Sequence, residues 1–402
     1  MDSGKRKTSA KTILYVHADS GPYGSSVMLY ELASRLPRER YRPLVALPEE
    51  GPIVDALRKA GVEVEIFPLG ELRRNFRPDR LAAMLLQQAS GPRRLAALIR
   101  RENVAIVQTV CAHVVTGAVA ARLTHRLHIS QIQENFLPPK ALFAAIARLL
   151  WATSQRVVAV SHGTAEEFFG KRARDPKLRV IHHAVDPAEF RTDISPAQGR
   201  RALGWPEENL HVGILGRFTP WKGHEVFLRA AALVAKDFPQ VRFAIVGDSD
   251  TPRNVAYKNR LRALAQELGI MEKIRWTGFV SPVQPLIAAL DLVVVPSVRP
   301  EPFGRVLVEA MAMERPVVAT NHGGPVDILA EGGGILVPPS DAPAQAAAIA
   351  RLIEDDGERL AMGKVARAQV LQRFSIGAHV DAFVKLYDEL LSDKSSQMMR
   401  MT

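Results

Sequence analysis

Short apolar runs alternate with amphipathic segments along almost the whole of this 402-residue chain, and few folds accept that alternation. Residues 12–17 read as a strand before a glycine loop, and 23–36 as a helix. Strands follow at 42–47 and 62–67, with a helix near 53–60 between them. Residues 80–101 are helical with a break at Gly91-Pro92. A strand at 104–109, a helix at 114–126 and a strand at 128–133 continue the pattern. Strands at 156–160 and 179–182 then flank a helix at 163–170. A second series begins at Leu210, with strands at 211–215, 241–246, 274–276, 292–295, 316–319 and 335–337. The helices between them fall at 224–236, 253–268, 283–289, 305–313 and 324–330. Parallel sheets covered on both faces are the form such alternation takes. Two series of this size predict an α/β protein of two Rossmann-like domains, 1–186 and 187–375, joined through the polar, proline-bearing stretch 185–206.

Ligands of open α/β sheets bind beyond the carboxyl ends of the strands. In the second series every notable loop stands at such an end: Gly216-Arg217-Phe218, Trp221-Lys222-Gly223, Gly247-Asp248, Gly278-Phe279-Val280, residues 296–304, and residues 320–325. A guanidinium and an ammonium so close together suit a diphosphate. Residues 301–312 add two carboxylates eight positions apart. Pro302 and Gly304 suit a turn, so Phe303 to Val306 form a helix N-terminus, where free N–H groups favour an anion. Glu309 lies about 9 Å further along the axis at roughly 1.5 Å per residue. A lone Glu ringed by Val306, Leu307, Val308, Ala310, Met311, Ala312 and Met313 would be costly to bury without a partner.

Pro296-Ser297, then Arg299-Pro-Glu-Pro-Phe-Gly304, then Glu309 and Gly323-Gly324 resemble the donor-sugar site of the retaining glycosyltransferases of family 4. The likeness is strongest over 210–339 and continues more weakly over 13–190. It implies the GT-B architecture, in which the two parallel sheets face each other across a cleft that closes over the substrates. It also implies that the last helix, within 376–402, crosses back to the first domain. The implied reaction moves a sugar from a nucleotide diphosphate donor, UDP- or GDP-linked, to an acceptor hydroxyl on a glycan, a lipid-linked or a small molecule. Arg217, Lys222 and Glu301 would be catalytic. Gly216, Gly247, Asp248, Phe279, Val280, Phe303, Gly304, Arg305, Val306 and Glu309 would complete the donor site. Glu309 would take the ribose hydroxyls, and backbone near Phe279 and Val280 would meet the base. On the acceptor side stand Gly21, Tyr23 and Gly24 of the first glycine loop, with His113, Gln133 and Glu134. Relatives often carry a His where Gln133 or Glu134 falls, and Asn-Gly where this chain has His182-His183. No cofactor and no metal are expected.

Composition bounds the partners. Up to Asp186 there are 28 Lys and Arg against 17 Asp and Glu; beyond it there are 25 of each. The excess gathers in Arg35/Arg38/Arg40/Arg42, Arg73/Arg74/Arg77/Arg80 and Arg93/Arg94/Arg100/Arg101. An acidic or lipid-linked acceptor, or peripheral contact with an anionic membrane, would answer that charge. The segment 139–151 has its apolar positions at helical spacing with Lys140 and Arg148; it suits either a membrane interface or a sheet face. No nucleic-acid motif accompanies the charge. The single Cys111 excludes an intramolecular disulfide, and no apolar run reaches membrane-spanning length, so a cytoplasmic protein is expected, with peripheral contact at the inner membrane face possible. The alternatives are a GT-B epimerase, hydrolase or phosphorylase, or a non-catalytic polyanion-binding protein.

Overall fold

The computed structural model describes residues 10–21, 24–67, 69, 78–133, 140–248 and 251–401. The chain divides into two compact units, Met1–His182 with His379–Thr402, and His183–Ala378.

The first unit holds β1 (Lys11–Val16), α1 (Gly24–Arg35), β2 (Tyr41–Leu47), α2 (Pro52–Lys59), β3 (Glu63–Ile66), α3 (Pro78–Arg101), β4 (Val104–Thr109), α4 (Thr116–Leu123), β5 (Leu127–Ile132), α5 (Lys140–Thr153), β6 (Arg156–Ala159), α6 (His162–Phe169) and β7 (Leu178–Val180). Its seven strands are parallel, in the order β3-β2-β1-β4-β5-β6-β7. The strands are β-branched and leucine-rich because helices cover both faces. Two buried clusters result, one around Leu14, Val16, Leu44 and Val107, the other around Ile132, Ile146, Leu150 and Phe168.

The second unit holds α7 (Pro196–Ala202), β8 (His211–Leu215), α8 (His224–Asp237), β9 (Arg242–Val246), α9 (Pro252–Glu267), β10 (Ile274–Gly278), α10 (Gln284–Ala289), β11 (Leu292–Val295), α11 (Arg305–Ala312), β12 (Val317–Thr320), α12 (Gly324–Ile328), β13 (Gly334–Val337), α13 (Ala342–Glu354) and α14 (Asp356–Arg373). Six parallel strands run β10-β9-β8-β11-β12-β13. The order reverses between β8 and β11, so the loops after these two strands open on either side of the switch point, where such sheets bind ligands. The final helix α15 (Ile376–Met401) belongs mostly to the first unit. There Tyr387 reaches the sheet, its hydroxyl 3.0 Å from the Tyr15 hydroxyl and donating to Gln108 Oε1 at 2.6 Å.

Three features depart from the sequence reading. The helix α3 runs through Gly91-Pro92 without a break. Proline removes one donor and does not forbid a helix whose packing outweighs that loss, and the bare Gly91 faces Thr116 of α4, where an added Cβ would stand 3.4 Å from the threonine methyl. The stretch 185–206 is not a bare linker: it carries α7, whose Ser195 and Gln198 form a reciprocal capping box, and it lies inside the second unit. The helices α13 and α14, absent from the reading, start at Asp341 and Asp355, whose side chains cap Ala344 and Glu358 N–H. The closing helix α15, Ile376–Met401, falls within the expected 376–402.

Much of the basic excess in the first unit is locally compensated. Arg42 pairs with Glu63 and Glu102, Arg101 with Glu65 and Glu102, Arg58 with Glu50, Arg40 with Asp388 and Arg35 with Glu31. Arg42 is the second residue of β2, Glu63 opens β3 and Glu102 precedes β4, so this network sits at the amino ends of the strands, away from the ligand-binding end. Arg73, Arg74 and Arg77 lie outside the described residues, as does the side chain of Arg80. Of the described part of the 139–151 segment, Ile146, Ala147 and Leu150 are buried in the core, so it packs on the sheet. Among the described residues no helix is long and apolar enough to cross a membrane.

Candidate ligand site at the strand ends

In the second unit, glycines let three adjacent loops touch. Gly216 N–H donates to Val246 O, and Gly247 N–H to Gly278 O, both at 2.9 Å. A Cβ on Gly247 would stand 2.0 Å from Gly216 O. These contacts bring the ends of β8, β9 and β10 into one rim. Arg217 stands exposed on that rim, Phe279 is 73% exposed, and Val280 is half-buried. Asp248 pairs with Lys258 of α9 at 3.3 Å, turned to its own helix.

Across the switch point the packing is closer still. After β8 a short turn, Pro220–Lys222, ends in Gly223 at φ 77°, where a Cβ would stand 1.8 Å from Pro296 O. Only glycine fits both that φ and that approach. Val298 N–H donates to Trp221 O at 2.8 Å, locking the turn onto the loop after β11. Gly324 N–H donates to Glu301 O at 2.8 Å, and a Cβ on Gly323 would stand 2.3 Å from the same oxygen, so the loop after β12 lies against the other side of Glu301.

Two acid–base pairs occupy this assembly. Lys222 Nζ donates to Glu301 Oε1 at 2.7 Å and to Oε2 at 2.9 Å, across 79 residues of sequence. The ammonium also sits 4.4 Å from the Trp221 ring centroid, a cation–π contact. Glu301 is 6% exposed and takes a further bond from Ser297 Oγ at 2.7 Å. Three residues further on, Gly304 at φ 98° caps α11 without a side-chain bond, which leaves its first-turn N–H groups directed out of the helix end. Glu309, expected alone among apolar residues, is instead paired: Arg305, four residues earlier on the same helix, donates to its Oε1 from Nε at 3.1 Å and from a terminal nitrogen at 2.7 Å. That spacing is an i,i+4 pair, and it accounts for burial of a carboxylate to 9% exposure. The Phe303 side chain is buried against His183 and Phe374, so only its backbone can face a ligand.

Of the residues expected to act together, Lys222 and Glu301 are in direct contact, and Arg305 contacts Glu309. Arg217, Gly216, Gly247, Asp248, Phe279 and Val280 stand at neighbouring strand ends. Ser297, Trp221 and the Arg305 side chain were not predicted to act. The i,i+4 spacing could have shown Arg305, but nothing in the sequence marks where the Ser297 hydroxyl points.

In the first unit, Gly21 N–H is held by Asp19 Oδ1 at 2.8 Å and Gly24 opens α1; Tyr23 and Glu134 lie outside the described residues. His113 is half-buried beyond β4, and Gln133 is 7% exposed just after β5. His17, not anticipated, follows β1 with Nδ1 3.1 Å from the buried Cys111 thiol and Nε2 3.0 Å from Ser26 Oγ.

Residues 22–189 match the family profile described as Glycosyltransferase Family 4, and residues 197–369 the one described as Glycosyl transferases group 1. A D-inositol 3-phosphate glycosyltransferase of Corynebacterium jeikeium is 38% identical over 225 residues, 53% of this chain and 52% of the relative. A lipopolysaccharide core biosynthesis mannosyltransferase, LpcC, of Rhizobium leguminosarum bv. viciae is 33% identical over 54% of this chain and 61% of its own length. The chain thus spans about half the length of the curated relatives it matches. Among solved structures, Anabaena Alr3699/HepE in complex with UDP-glucose superposes with a TM-score of 0.79 at 25% identity, over 94% of this chain and 99% of that one.

Proposed function

This chain belongs to the family 4 glycosyltransferases of GT-B architecture, and on that premise we propose that it transfers a sugar from a nucleoside diphosphate donor to an acceptor hydroxyl with retention at the anomeric carbon. The observation that carries the proposal is the Lys222–Glu301 contact at the β8/β11 switch point. It puts a cation for a diphosphate and an acid for sugar hydroxyls within one bond of each other.

The chemistry follows from the charges. The bond between the anomeric carbon and the distal phosphate oxygen breaks, and its electron pair stays on that oxygen. Arg217, Lys222 and the first-turn N–H groups of α11 stabilise the charge that develops there. The acceptor oxygen bonds to the same carbon from the same face, and its proton passes to the departing phosphate. Glu301 holds hydroxyls of the transferred sugar. Glu309 takes the ribose hydroxyls with the oxygen that Arg305 does not use. Relatives and neighbours agree with this class of donor: HepE is described in complex with UDP and with UDP-glucose, and LpcC as a mannosyltransferase.

A thermal-shift panel of UDP-glucose, UDP-galactose, UDP-N-acetylglucosamine and GDP-mannose tests the donor class, because a bound ligand raises the melting temperature according to its affinity. No shift with any of them would sink the proposal. Release of nucleoside diphosphate that requires an acceptor separates transfer from hydrolysis or epimerisation. Because the cations are supplied by side chains, turnover should survive chelation by EDTA; loss of activity restored by added Mg²⁺ or Mn²⁺ would show that they do not suffice.

A further inference from the structure

The Glu301 carboxylate depends on two kinds of partner. Lys222 is one, bonded to both oxygens. Ser297 is the other, its hydroxyl donating to Oε2 at 2.7 Å. They differ in freedom. Lys222 is half-buried at the strand-end rim, and a phosphate oxygen would compete for its ammonium as strongly as a carboxylate does. Ser297 is fully buried, so its hydroxyl cannot reach a bound ligand. Its main chain is also fixed: the Ser297 carbonyl accepts from Thr320 Oγ1 at 3.0 Å and from His322 Nε2 at 2.8 Å. A carbonyl only accepts, so His322 carries its hydrogen on Nε2. Thr320 and His322 come from the end of β12 and the loop after it. The serine is therefore clamped from a second strand end.

We propose that Ser297 is a positioning residue: it holds Glu301 in register with the transferred sugar once Lys222 turns to the diphosphate, and Thr320 and His322 hold Ser297 in place. The inference rests on the donor reading above and deepens it. A carboxylate at 6% exposure that loses the Lys222 ammonium would be desolvated and, without a second bond, free to swing. The Ser297 bond keeps one oxygen, Oε2, fixed and presents Oε1 to a sugar hydroxyl. The nucleoside diphosphate alone lacks the transferred sugar that Glu301 would meet, so its binding does not depend on where that carboxylate points.

The test compares UDP-glucose with UDP, or GDP-mannose with GDP, whichever pair the melting panel selects. Affinities by calorimetry and steady-state kinetics are measured on the full chain and on Ser297→Ala. The variant should bind the nucleoside diphosphate within about twofold of the parent. It should lose about tenfold or more in affinity for the nucleotide sugar, the scale of a hydrogen bond to a charged group, and kcat should fall with it. Equal losses for both ligands, or no loss for either, would overturn the assignment. His322→Ala acts one bond further out and should move the same ratio in the same direction by a smaller factor. If Ser297→Ala gives no cooperative melt, His322→Ala decides alone, and an unchanged ratio there overturns the proposal. A parent protein that binds neither ligand removes the donor reading, and the inference falls with it. A parent that binds both, with unchanged ratios in the variants, removes only the role of Ser297.

Discussion

At the scale of single residues, both carboxylates of the site, Glu301 and Glu309, are already answered by a cation. Arg305 satisfies one oxygen of Glu309 and leaves the other for a ligand. Glu309→Ala should therefore weaken donor binding by about 1–3 kcal/mol, the worth of hydrogen bonds to a carboxylate; an unchanged dissociation constant by calorimetry would contradict its role. Arg217 stands exposed at the rim, where a cation meets charge that grows as the phosphate leaves. Arg217→Ala should cut kcat by about a hundredfold while donor affinity changes by less than about tenfold. Equal losses in both would make Arg217 a ground-state binder. The sequence shows the Glu301–Glu309 spacing and the Arg-Lys pair, because residue type and spacing carry that chemistry. It does not show that Lys222 and Glu301 touch, since they are 79 positions apart and only the strand order unites them.

At the scale of elements, legibility follows periodicity. The thirteen strands were readable to within a few residues, because apolar β-branched runs between glycine loops have few other meanings. What resisted were α13 and α14, and helix α7, hidden by its own polarity. Arg200, which reads as a surface residue, is buried. It pairs with Asp291 and donates to Ala289 O at 3.1 Å and to Glu207 O at 2.7 Å. Beside it, Gly199 lets α7 lie directly on α10: a Cβ there would stand 2.7 Å from both Ala289 N and Pro285 O. Gly199→Ala pushes a methyl into main-chain atoms that cannot yield. It should destabilise the second unit by about 1–3 kcal/mol in urea unfolding, even though alanine is the better helix former. A stabilised variant would mean that α7 is only loosely docked and that the stretch behaves as the linker its composition suggests.

At the scale of the whole molecule, both units bury neutral histidines, and this sets how stability depends on pH. In the first unit His128 lies between Thr109 Oγ1 at 2.9 Å and Ser154 Oγ at 3.0 Å. Ser154 gives its own hydrogen to Leu150 O, so it accepts from His128 Nδ1–H and leaves Nε2 to accept from Thr109. A proton added at Nε2 would have to reverse the Thr109 bond inside a fully buried pocket, and burial lowers the pKa to about 3. Burial likewise lowers His379 of α15 to about 4. In the second unit, burial and then the Lys222 charge lower His224 to about 3. An unfolded histidine titrates near 6.5. Between that value and the folded pKa the unfolded chain binds the extra proton, so stability is complete above about pH 7 and is lost as pH falls. From pH 7 to pH 5 each such histidine should remove about 2 kcal/mol. Urea unfolding should therefore show His128 and His379 each taking about 2 kcal/mol from the first unit over that range. His128→Gln removes one titrating group and should reduce the loss in the first unit by about 2 kcal/mol, whatever the substitution costs at pH 7. A pH slope that the substitution leaves intact would mean that His128 is protonated in the folded chain and that its hydroxyl cage opens to admit a counter-charge.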